Sequence, residues 1–168
     1  ECNMELSVIN PSLVLGPVLE SDFGTSVELV KRFLNGGFPL APNISFGIVD
    51  VRDVAQLHLL ALESPQASGN RFIASSETLA IPLISEFLRK KIPEYQKRLP
   101  KGTAPDFLIK LLGFFSPLMK TVANQLGKTK ELDNSKAKNI LGWQPRSGEE
   151  AVIASAKSLI EFDIVKSP

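Results

Sequence analysis

Cysteine is nearly absent. Cys2 is the only one in 168 residues, which excludes an internal disulfide framework and suits a reducing compartment. Histidine is equally scarce, and with His58 alone the chain offers neither the ligand set of an ordinary zinc site nor a Ser/His/Asp or Cys/His triad. Excess charge is missing too. A net charge of +1 removes any general electrostatic case for binding nucleic acid or a membrane surface. No long apolar run occurs. The greasiest stretch, Phe107 to Val122, is interrupted by Lys110, Gly113, Pro117 and Lys120 and is too short to span a bilayer. Glu1-Cys2-Asn3-Met4-Glu5 lacks the basic start and apolar core of a signal peptide, so a soluble, cytoplasmic protein is expected. Phosphate-cradling glycine loops are also missing. The only adjacent glycines, Gly36-Gly37, stand where they close a helix rather than open one.

What remains is a chain that is 43% hydrophobic and 22% charged, a balance that favours a folded globular domain over a disordered segment. Its first part alternates strand and helix signals. Leu6–Ile9 is short and rich in β-branched residues, and should stop at Asn10-Pro11, because proline cannot donate into a ladder. Leu13-Val14-Leu15 runs into Gly16-Pro17. Ser26 to Asn35 predicts a helix burying Val27, Val30, Phe33 and Leu34, and Phe46–Val49 a further strand. Asp53 stands where an N-cap is expected, ahead of an apolar helix through Leu62 with so little polar surface that it should be covered on most sides. Arg71–Ala74 completes a strand–helix–strand unit, and parallel pairing is expected.

The rest predicts mostly helix. Ile81–Lys91 and Pro105–Val122 are candidates, the second broken near Ser116-Pro117. Asp133-Asn134-Ser135 should cap a short helix to Leu141, with Gly142 as a left-handed C-cap and Trp143 as its apolar contact. Ser147 to Glu150 spells a capping box, with Val152, Ala156, Leu159 and Ile160 as the stripe of the last helix. The fold class expected is therefore α/β: a partial Rossmann-type sheet with a mostly helical substrate-binding portion. Residues 1–75 would hold the sheet strands and their helices, and 76–168 the lid region and C-terminal helix. A complete doubly wound domain needs more parallel strands than these. Because the chain opens on Glu1 and runs almost directly into a strand, it reads as a cut through a longer protein.

Candidate chemical groups are few. His58 reads as a packed or partly buried structural histidine. A tyrosine acid needs a lysine about one helical turn away, but Tyr95 has Leu99 there and is flanked by Pro93 and Pro100, so it reads as a surface or loop residue. Arg89, Lys90, Lys91, Lys97, Arg98 and Lys101 form a basic cluster that reads as a solvated face, with an edge greeting an anionic ligand as the sharper alternative. In Asp50-Val51-Arg52-Asp53, an Asp50–Arg52 ion pair at a strand end is expected, and a ligand contact by Arg52 is the alternative.

Three stretches together carry a resemblance. Val8-Ile-Asn-Pro-Ser-Leu-Val-Leu-Gly-Pro17, then Ile48-Val-Asp-Val-Arg-Asp-Val-Ala55, then Asp133-Asn-Ser-Lys-Ala137 with Leu141-Gly-Trp143 and Pro145 are similar, in order, to the C-terminal half of dihydroflavonol reductase-like members of the extended short-chain dehydrogenase/reductase family. The resemblance implies a Rossmann-type domain binding NADP or NAD, and reduction of a ketone or aldehyde by the parent protein. It places Pro11, Ser12, Leu13 and Val14 beside the nicotinamide, largely through backbone groups, and Ser26 near the cofactor; Ser12 stands where the family often has threonine. No catalytic residue is assigned within the chain: the family's tyrosine, lysine and glycine loop would precede residue 1, so the segment alone should be inactive. The partners implied are a small carbonyl substrate, the N-terminal half of the same protein and a second copy in a homodimer. A non-catalytic NAD(P)-binding or regulatory module of the same ancestry, a nucleotide-sugar epimerase or dehydratase, and a free-standing helical interaction domain are the alternatives.

Overall fold

Val8–Pro11 forms strand β1, which starts and ends later than the composition suggests. The N–H of Val8 donates to the Asn70 carbonyl and that of Ser12 to the Ala74 carbonyl, both at 2.9 Å. Alternate residues thus donate toward β4 (Arg71–Ala74), paired in parallel. Pro11 falls on the other phase, where its missing N–H would point to the opposite edge, so it ends the strand instead of preventing it. The computed structural model describes residues 4–114 and 117–168, and backbone alone at 118 and 119. Cys2 and the expected helix break at Ser116 lie outside the described residues.

At Ser12 the chain changes sheets. β2 (Leu13–Leu15) pairs in parallel with β3 (Ser45–Asp50), and β3 pairs antiparallel with β5 (Glu77–Ala80). The second strand path makes the matching change at Ser75-Ser76, between β4 and β5. The sequence reading did not foresee β5, which sits within the stretch expected to be helical; its Thr78 and Leu79 are followed directly by the proline-containing first turn of α3, which hid the strand.

The helices are α1 (Thr25–Leu34), α2 (Val51–Glu63), α3 (Ile81–Lys91), α4 (Asp106–Leu112), α5 (Pro117–Ala123), α6 (Ser135–Leu141) and α7 (Gly148–Glu161). Helix α1 buries Val27, Val30, Phe33 and Leu34, the face its spacing predicts. Gly142 adopts φ +65° after α6, and Ser147 and Glu150 close the capping box of α7.

Two apolar cores share one strand. Ile48 and Val49 are neighbours on β3 and point to opposite faces. Ile48 joins a core with Leu15, Phe33, Ile84, Leu88 and Leu159, while Val49 joins one with Leu57, Phe72, Leu141 and Trp143. Helix α2 departs from expectation. It buries Asp53 and Leu57 but leaves Leu59 60% and Leu62 84% exposed. A helix this apolar is built to be covered, and within the described residues only one side of it is.

Candidate functional site

The site is built where β2 ends. Gly16 has φ +119°, and a Cβ there would stand 2.9 Å from Asp50 Oδ1 and 3.0 Å from Val51 Cγ1. Only glycine lets the chain turn this close to the start of α2. Beyond it, a loop leads to α1 and encloses a concavity of about 330 Å³, which Val14, Gly16, Pro17, Phe23, Ser26 and Val51 help to line. Two candidates are thereby brought to one place: Val14 from β2 and Ser26 from α1. Leu13 lies half-buried on β2, Pro11 is exposed at the end of β1, and Ser12 is at the fork between the sheets. These three do not line that concavity.

The fork has its own polar character. The Ser12 and Ser75 hydroxyls are buried without a protein partner. Both serines border Gly47 on β3, where a Cβ would meet Ser75 Oγ at 2.9 Å, Ser12 Cβ at 3.1 Å and Leu132 Cδ1 at 2.5 Å. Asn134 Nδ2 donates to the Ser75 carbonyl at 2.6 Å, and Ser76 donates through N–H and Oγ to Ile48 O at 2.7 and 2.8 Å.

Glu20 and Asp22 are the charged residues of the lining, and an ion pair stands at its base. Asp50, not Asp53, is the N-cap of α2: its Oδ1 accepts from the Arg52 N–H at 2.9 Å. The sequence reading placed the cap three residues late because the helix begins directly at the end of β3. The expected ion pair is present, with Arg52 Nε and an Nη donating to the two Asp50 oxygens at 2.8 and 2.7 Å. Burial pushes the Asp50 carboxyl up, but hydrogen bonds from the Arg52 side chain and backbone, with the charges of Arg52 and Arg146, together hold it below its ordinary value. Arg52 is raised in turn by its hydrogen bond to Asp50. Asp53 is buried instead. Its carboxylate accepts from the N–H of Arg146 at 2.7 Å and pairs with that guanidinium, while its carbonyl accepts from Trp143 Nε1 at 2.9 Å.

Two further readings are corrected. Tyr95 is buried at 3% exposure, in a 3₁₀ turn packed into the larger core with the Arg98 guanidinium 5.8 Å from its ring. Prolines on both sides suggested a loop, but that turn carries the ring inward. His58 is exposed, its Nδ1 2.8 Å from the Val54 carbonyl one helical turn back. The packed or partly buried position expected of it is not found, because among the described residues nothing covers that side of α2. The basic cluster is partly structural: Arg89 donates to the carbonyls of Gln96 and Pro100, and Arg98 to those of Lys166 and Ser167.

Sequence reasoning missed the residues that hold the loop. Ser155 and Ser158 on α7 are buried and bond the Gly16 and Val18 backbone. The signal available was two serines among the apolar positions of the last helix.

No family model matches the chain. Curated relatives do. The NADPH-dependent methylglyoxal reductase of Saccharomyces cerevisiae is 28% identical over 165 residues, covering 95% of the chain and 44% of the relative. A ketoreductase of Aspergillus niger is 33% identical over 170 residues, again covering 95% and 44%. A cinnamoyl-CoA reductase of Arabidopsis thaliana is 40% identical over 95 residues, 56% of the chain and 27% of the relative. The crystal structure of the yeast methylglyoxal/isovaleraldehyde reductase complexed with NADPH superposes with a TM-score of 0.71 at 26% identity, over 95% of this chain and 44% of that one. The fold is that of the C-terminal portion of a Rossmann-type reductase. These relatives are dihydroflavonol reductase-like members of the extended short-chain dehydrogenase/reductase family, and the chain aligns with their C-terminal half. It spans less than half the length of the curated relatives it matches.

Proposed function

We propose that the chain is the far wall of a nicotinamide-cofactor pocket in an NAD(P)H-dependent reductase of ketones or aldehydes. The observation that carries this reading is the convergence of Val14 and Ser26, from a strand and a helix, on one concavity of about 330 Å³ closed by Gly16. Apolar and small residues make most of its lining, the charged ones are the carboxylates Glu20 and Asp22, which disfavour an anion, and its rim is the C-terminal end of a parallel strand, where open α/β sheets place their ligands. It fits the neutral nicotinamide end of the cofactor rather than a pyrophosphate, and the relatives named for NADPH agree with it. When bound, the nicotinamide supplies hydride to the substrate carbonyl carbon.

In this reading Val14 meets the cofactor at this concavity and Ser26 approaches it from α1, while Pro11, Ser12 and Leu13, outside the concavity, meet the carboxamide side through backbone groups further back along the same stretch. The chain's residues bind, orient and exclude water. Proton transfer to the carbonyl oxygen falls to groups in the N-terminal half. Residues 1–75 complete the dinucleotide-binding domain and 76–168 supply the substrate lid and C-terminal helix. The parent protein is the active unit, a cytoplasmic enzyme acting as a homodimer, and the chain alone is inactive. Substituting Ser26→Trp in the full-length protein tests the wall directly: NADPH binding should weaken at least tenfold with helix content retained, and an unchanged dissociation constant would overturn the assignment.

A further inference from the structure

The loop after β2 is gripped by the last helix. On α7, Ser155 and Ser158 stand one turn apart on a face otherwise made of Val152, Ala156 and Leu159, and neither is solvent-exposed. Ser155 Oγ accepts from the Gly16 N–H at 2.7 Å and lies within donating distance of the Gly16 carbonyl at 2.8 Å. Ser158 Oγ accepts from the Val18 N–H at 2.9 Å and donates to the Ser155 carbonyl at 3.1 Å. Gly16 is therefore held through both its backbone groups by Ser155, at a position where Asp50 Oδ1 leaves no room for a Cβ. Past Val18 the loop is otherwise thinly held: Leu19, Glu20, Ser21 and Asp22 are exposed, and among the described residues no other hydrogen bond anchors Pro17–Phe23 to the rest of the fold.

Polar side chains on a buried helix face are costly unless they satisfy something. Here they satisfy two loop amides that have no ladder partner. We propose that Ser155 and Ser158 are positioning residues for the cofactor pocket: they set the Gly16–Val18 backbone, and through it the spacing between Val14 and Ser26. The C-terminal helix thus decides how well formed the wall is before any ligand arrives, and what it supplies is preorganisation. This rests on the cofactor reading above, and its test separates the two.

The first arm uses the full-length protein. Ser155→Ala, Ser158→Ala and Ser158→Thr are compared by amide hydrogen exchange, and the Gly16 and Val18 amides should exchange at least tenfold faster in the alanine variants, with Ser158→Thr restoring protection at Val18. Ser158→Ala, at the less buried end, keeps the test open if Ser155→Ala does not fold. The second arm measures NADPH dissociation constants in the full-length protein, where each alanine variant should bind roughly five- to tenfold more weakly and Ser158→Thr should bind as the unsubstituted protein does. Unchanged exchange, or faster exchange with an unchanged NADPH affinity, overturns the positioning role. Failure of the unsubstituted full-length protein to bind NADPH overturns the underlying cofactor reading, and is seen before any serine is touched.

Discussion

Asp53 and Arg146 meet twice. The buried carboxylate on the first turn of α2 accepts from the Arg146 N–H at 2.7 Å, and the guanidinium of the same residue pairs with its other oxygen. The Asp53 carbonyl also takes the Trp143 indole N–H. One residue therefore locks the segment between α6 and α7 onto the helix that follows β3.

Breaking that lock should be felt globally. Arg146→Ala leaves a buried carboxylate with one backbone donor, and the half-open position of the guanidinium keeps the effect moderate, at about 2 kcal/mol. Arg146→Lys should recover part of it, since a point charge replaces the fork. Urea unfolding followed by the emission of Trp143, the only tryptophan, measures both.

Acid should weaken the fold through Asp50. Its carboxyl is held below its ordinary value, so the charged form is favoured by folding. That contribution is complete above the unfolded carboxylate pKa of about 3.9 and is lost as pH falls through the lower folded value. The stability gap between the unsubstituted chain and Asp50→Asn should be constant from about pH 7 to about pH 5 and shrink below about pH 4. Urea midpoints across that range check the sign; a gap that widened toward acid would contradict it.

Glycine replacements should divide by their surroundings. Gly16→Ala adds a Cβ within 3 Å of Asp50 Oδ1 at an unfavourable φ, whereas Gly142→Ala meets nothing within 4 Å and carries only the left-handed penalty. The expected costs are about 2–3 kcal/mol and about 1 kcal/mol. Thermal unfolding of the two variants side by side checks the order.

Where the signal was local, the sequence was readable. The α1 face, the Gly142 cap and the α7 capping box depend on side chains within a few residues of one another, so spacing alone revealed them. Features set by distant partners were not. Asp53 was assigned as a cap because nothing nearby announces Arg146, and Tyr95 was placed outside because its burial depends on a core assembled from residues 15 to 165. Strand β5 owes its place to pairing with β3, which lies well upstream. For the site, the β2 segment and Ser26 could be named from resemblance, while Ser155 and Ser158 could be seen only once α7 was packed beneath the loop.

The bare side of α2 carries its own expectation. Leu59 and Leu62 are exposed, and among the described residues β1 pairs with β4 alone. An open parallel edge beside an apolar helix face invites association. The isolated chain should self-associate in size-exclusion chromatography at micromolar concentration, and Leu62→Glu should shift it toward monomer. A sharp monomer peak for the unsubstituted chain would count against an incomplete sheet.

The most direct test is calorimetric titration of NADPH into the 168-residue chain and into the full-length protein. A single wall provides neither a glycine loop for the pyrophosphate nor the rest of the pocket, so the chain alone should show no saturable binding while the full-length protein binds one equivalent. Tight stoichiometric binding by the chain alone would contradict the half-site account.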